Sequence, residues 1–146
     1  MVAGLIFVGL SWVLSLANGF LGFQLTQNRE ATSDTHLVVG FVSAALYLMG
    51  LIILMTTSQK SIERAATLET RNDHWLREVS RRREKSLLPS YSALGLFALG
   101  IITGTLSEGG TFPWVHGALG ISTMMVLLVV MLRWIGLHRQ LLNGGR

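Results

Sequence analysis

His36 and His116 each open a long uncharged run, and each is followed four positions later by a glycine, Gly40 and Gly120. The two stretches, THLVVG at 35–40 and VHGALG at 115–120, lie 80 positions apart (116 − 36). A neutral imidazole is a good iron ligand, and a second one on the opposite face completes the axial set of a flat iron macrocycle. On a helix, a residue four positions on sits on the same face, one turn away. A side chain there would crowd such a ring, whereas glycine leaves room. The spacing therefore predicts His36 and His116 as axial metal ligands of one haem b, with Gly40 and Gly120 as cofactor-binding positions. Chlorophyll is the alternative cofactor, with one magnesium per histidine. A third account needs no ligand. Histidine, Trp114 and Tyr91 all favour the boundary between headgroups and hydrocarbon, and glycine is frequent in membrane helices. The repetition of the motif is what argues for a site.

Two histidines can meet only if long elements bring them to one height. Half of the 146 residues are hydrophobic, 14% are charged and the mean hydropathy is +0.50. A soluble domain carries about 25% charged residues. The charges here are also segregated, because 5–25, 36–55, 87–106 and 115–132 contain none when His is neutral. At about 1.5 Å per residue, roughly 20 such residues cross a bilayer core. Strands of a membrane barrel would alternate with period two, which these runs do not. The expected fold is an all-α integral membrane protein: a four-helix up-down bundle of two tandem hairpins, 3–56 and 89–140, joined by a helical connection at 57–88. The whole of 1–146 is read as one membrane domain. No Lys or Arg precedes the first run, so it is expected to be a retained span rather than a cleaved leader. Cysteine is absent, which excludes disulfides and thiolate metal sites.

Eight of the twelve Lys and Arg residues fall in 57–90, and three more in the tail at Arg133, Arg139 and Arg146. The positive-inside rule then predicts that the connection and both termini face the cytoplasm of a bacterial inner or thylakoid-type membrane. The net charge of +4 and the pI near 10.4 follow from this segregation and do not argue for nucleic acid. In 57–88 a broken apolar stripe (Ile62, Ala66, Leu68, Trp75, Leu76, Val79) predicts one or two amphipathic helices near the headgroups. Pro89 suits the first turn of the third span. Ser11, Ser15 and Gly19, Gly40 and Ala44, and Gly100 and Gly104 stand at the small-residue spacing by which helices approach in lipid. Asn18 and Gln24 read as interhelical hydrogen bonders, and Arg133 as a cation that snorkels to the interface.

The bundle at 5–137, with His36 and Gly40 paired to His116 and Gly120, resembles small four-helix transmembrane b-type cytochromes, the group of ascorbate-dependent cytochromes b and ferric-reductase-like membrane domains. The resemblance implies electron transfer. That group commonly holds two haems through four histidines. Here His74 falls in the charged connection, and His138 lies 22 positions after His116, about 33 Å along a helix. One haem is therefore expected, between helices 2 and 4 near the outer face. Arg29, the one cation of the outer loops, is its expected propionate partner, helped by amides around Gly109 and Gly110. A solvated pair with Glu30 is the competing role for Arg29.

No phosphate loop, dinucleotide fingerprint, zinc motif or nucleophile constellation occurs, so no catalytic residue is assigned and an electron carrier is favoured over a stand-alone enzyme. Two other functions fit the same features. One is a non-catalytic accessory subunit of a larger respiratory or photosynthetic membrane complex, binding chlorophyll or nothing. The other is a small transporter, weakened by the lack of carboxylates within the spans. The expected partners are the lipid bilayer and other membrane subunits or further copies of this chain.

Overall fold

The computed structural model describes residues 1–27, 34–67, 73–106 and 113–143, without the side chains of 22–27, Asp34, Leu106, Pro113, Trp114 and His116. These residues form four helices: α1 (Val2–Gln27), α2 (Asp34–Ala66), α3 (Asp73–Leu106) and α4 (Pro113–Asn143). Each contains a window apolar enough to cross a membrane. α1 packs on α2 and α4, and α3 packs on the same two, while α2 and α4 barely touch across the diagonal. Consecutive helices are antiparallel. Ser11 meets Ser43, Tyr47 meets Ser90, and Trp134 meets Ser90. The helices that begin with the two histidine motifs are therefore the parallel, diagonal pair.

The repeat also extends to packing. Position by position, 41–50 and 121–130 carry the same order of buried, half-buried and exposed side chains. Ser43 thus corresponds to Thr123, Tyr47 to Leu127 and Leu54 to Trp134, and all six are buried. Two similar hairpins packed about a rough two-fold axis present the same stripe of α2 and α4 to the centre.

The 57–88 region is not a separate unit. α2 and α3 run through it unbroken, and only 67–72 separates them. At 33 and 34 residues they are about 50 Å long, against a hydrocarbon core of about 30 Å. Their extensions pack on each other. Val79 is fully buried, Ala65 nearly so, and Arg83 Nε donates to Ser58 Oγ at 3.2 Å. Glu78 accepts from Arg82 Nε at 2.8 Å within α3.

Pro89 lies in the interior of α3, not in its first turn. A proline there has no N–H to give the carbonyl four residues back, which is Lys85 O. Arg133 Nη1 of α4 donates to that same oxygen at 3.2 Å. Arg133 is thus anchored to a neighbouring helix, which the snorkelling reading missed. One turn on, a buried network closes the centre. Ser90 Oγ donates to Ser86 O at 2.7 Å and accepts from Trp134 Nε1 at 3.1 Å, and Tyr47 Oη donates to Ser90 O at 2.9 Å. Polar groups are expensive to leave unpaired in lipid, so these bonds let three helices bury a tyrosine, a tryptophan and two serines together. Tyr47 also stacks at a tilt on Phe97, with ring centroids 5.6 Å apart.

The α1–α2 seam is built from small residues. A Cβ on Gly4 would stand 2.9 Å from Gly50 O, and one on Gly50 would stand 2.9 Å from Gly4 O. Higher up, Ser11 and Ser43 exchange hydroxyl-to-carbonyl bonds at 2.8 Å, and Ser15 Oγ lies 2.8 Å from Ser43 Oγ. Close backbone approach with hydroxyl cross-links holds helices together where apolar burial supplies little drive.

Candidate functional site

Towards the end where α2 and α4 begin, the filled centre gives way to a cavity reached by all four helices. Its interior is about 100 Å³, and the empty space rises to about 700 Å³ when the open mouth between the helices is counted. His36 and Gly40 line it from α2, and Gly120 from α4. Three of the four residues of the repeated motif, together with the lower face of α4, thus belong to one cavity. His116 lies one turn before Gly120 on the same helix, and its side chain is outside the described residues. So are Arg29, Gly109, Gly110, Glu30 and the side chain of Gln24.

Glycine makes the space. Gly19, Gly100 and Gly104 join Gly40 and Gly120 on the lining. A Cβ on Gly19, Gly100 or Gly120 would meet no atom within 4 Å, and one on Gly40 only Asn18 Nδ2 at 3.4 Å. Gly19 and Gly100 therefore do not serve the close helix packing that their spacing suggests. They leave an apolar hollow faced by Phe97 and Leu96. Sequence spacing alone does not separate a glycine that admits a neighbouring helix from one that borders a void, because both recur every four residues.

The polar groups on the wall are few. Thr123 Oγ1 is turned back to Leu119 O at 2.7 Å. Ser15 and Ser43 bond each other. Asn18 differs from its expected role. Its Oδ1 is buried and accepts no hydrogen bond, so on that side it is not an interhelical bonder. A buried acceptor without a donor is uncommon in folded proteins, and here it sits on the wall of a cavity. No cluster of three or more His, Cys, Asp or Glu able to hold a bare metal ion occurs among the described residues. His74 and His138 do not line the cavity. His138 borders a separate crevice at the opposite end, with Met1 and Trp75.

The chain is thus a helical bundle with four segments apolar enough to be multi-pass in a membrane, enclosing a glycine-lined cavity near one end. No family model, curated protein or solved structure matches it.

Proposed function

We propose that this chain is a membrane cytochrome of b type, holding one haem between α2 and α4 for electron transfer. The observation that carries the reading is the convergence of His36, Gly40 and Gly120 on one cavity, from two diagonal helices related by an 80-residue repeat. The lining suits a flat apolar ring in kind: one imidazole, an aromatic wall and a row of glycines with open space where their side chains would be. In size, such a ring requires the mouth as well as the interior. His36 and His116 would hold the iron through their imidazole nitrogens, and ligation by two imidazoles would favour electron transfer over oxygen chemistry. Asn18 offers a buried acceptor on the same wall, the kind of partner that fixes the tautomer of a metal-binding imidazole. With the basic extensions of α2 and α3 facing the cytoplasm, the cavity lies near the outer surface.

An absorption spectrum of the purified chain with pigment extraction tests this. A Soret band is expected, lost in both His36→Ala and His116→Ala. Gly120→Leu should also lose it while the helices stay folded by circular dichroism, because its side chain enters the cavity. A folded, colourless protein removes the cytochrome reading. Extracted chlorophyll, with each histidine variant losing about half of it, supports instead a pigment-binding accessory subunit of a larger complex.

A further inference from the structure

We propose that the groove between α3 and α4 below the cavity, at the level of Lys85 and Arg133, binds the headgroup and one chain of an anionic phospholipid. The inference rests on the reading that the chain spans a membrane and is independent of the haem. An open groove of about 660 Å³ runs along this side of the bundle. Its upper wall is apolar, and Leu88, Met125 and Val129 are 74%, 61% and 43% exposed. Lys85 and Arg133, both exposed, close its other end.

Two features distinguish this from an ordinary lipid-facing helix surface. First, Arg133 is held in place. Its bond to Lys85 O uses one guanidinium N–H and leaves four for a ligand. The anchor exists because Pro89 leaves that carbonyl without its helical donor. Second, the charges stand at the right height. Lys85 comes two residues before the uncharged run of α3, and Arg133 directly follows that of α4. Two cations at the end of an apolar groove complement a phosphate joined to an acyl chain. Basic pockets between membrane helices favour anionic headgroups in this way. No carboxylate borders the groove among the described residues.

The full chain, purified in mild detergent and stripped of lipid, would be titrated with phosphatidylglycerol or phosphatidylcholine of matched chains and read by native mass spectrometry. Phosphatidylglycerol should be retained in preference. Lys85→Gln should lower that retention about fivefold, from about 1 kcal/mol per cation at a membrane surface. Val129→Trp, which fills the apolar wall, should lower it too. Arg81→Gln, a cation on α3 that does not border the groove, should leave it unchanged. Arg133→Gln, which loses both the charge and the guanidinium bond to Lys85 O, should lower it more than Lys85→Gln does. Equal retention of the two lipids, equal loss in Arg81→Gln, or displacement by inorganic phosphate would each overturn the site. A chain that stays soluble and monodisperse without detergent would remove the membrane reading itself. A colourless but lipid-selective protein would remove only the haem.

Discussion

The two halves of the bundle use the same residue types for opposite ends. In the half towards the extended ends of α2 and α3, one pair of glycines admits a neighbour, although Gly136 there meets no atom within 4 Å. Gly4 and Gly50 bring two backbones so close that a methyl on either would meet a carbonyl at 2.9 Å. In the half towards the starts of α2 and α4, glycine excludes one. Gly19, Gly100 and Gly120 look onto empty space. Hydroxyls do not divide by half, since Ser15 and Ser43 cross-link two helices beside the cavity, but two of them contrast sharply. Ser90 ties Tyr47 of α2 and Trp134 of α4 to α3, whereas Thr123, buried by the cavity, bonds back into its own helix. The first half is filled by Tyr47, Leu54, Trp134 and Leu137. The second is hollow. One end of the bundle is therefore closely packed, and the other encloses a cavity.

The contrast is sharpest at two glycines. Gly50→Ala should cost about 1–3 kcal/mol, because the methyl strikes Gly4 O, Val8 and Phe7 at 2.9–3.0 Å and the helices must part. Gly120→Ala should be neutral or stabilising by up to about 1 kcal/mol, from helix propensity alone. Thermal melts in one detergent would compare the pair, and equal costs would break the distinction between the halves.

A smaller difference is expected at the hydroxyls. Ser90→Ala strands the indole N–H of Trp134 in a buried site and should cost about 1–2 kcal/mol. Thr123→Val removes a bond within its own helix and should change stability by less than about 0.5 kcal/mol. Denaturant titration of both variants would show whether the network at Ser90 outweighs the one by the cavity.

The smallest effect lies on the charged extension of α3. Hydrogen bonding from Arg82, followed by the charges of Arg81, Arg82 and Lys85, holds the Glu78 carboxyl below the usual glutamate range. A carboxyl with a depressed folded pKa adds stability above its unfolded value, near 4.3, and loses it as pH falls through the lower folded value. The melting temperature should therefore fall slightly below about pH 4, and Glu78→Gln should flatten that slope. A Gln variant with the same pH profile would show that this surface pair contributes nothing.

Much of the architecture was legible in the residues. Four uncharged runs became four helices, each with a window long and apolar enough to cross a membrane. The motif at His36 and His116 marked a true correspondence, since the stripes at 41–50 and 121–130 are buried alike. Other features were not legible. Pro89 reads as a helix start because proline suits first turns, whereas it lies inside α3, where a neighbouring arginine donates to the carbonyl it leaves free. The 57–88 region reads as a connection because it is charged. Its few apolar residues, Val79 and Ala65 among them, are nonetheless enough to pack two extended helices together.

What the sequence determined by itself was the number of long apolar helices and the register of the repeat, both set by hydropathy and period along one chain. What only the tertiary structure decided was the use of each small residue: Gly50 as a contact, Gly120 as a wall, Ser43 as a cross-link, Thr123 as none. The physical reason is that a glycine or a hydroxyl states what a helix can approach or bond. Whether a neighbour is there depends on how four helices cross, which no single segment specifies.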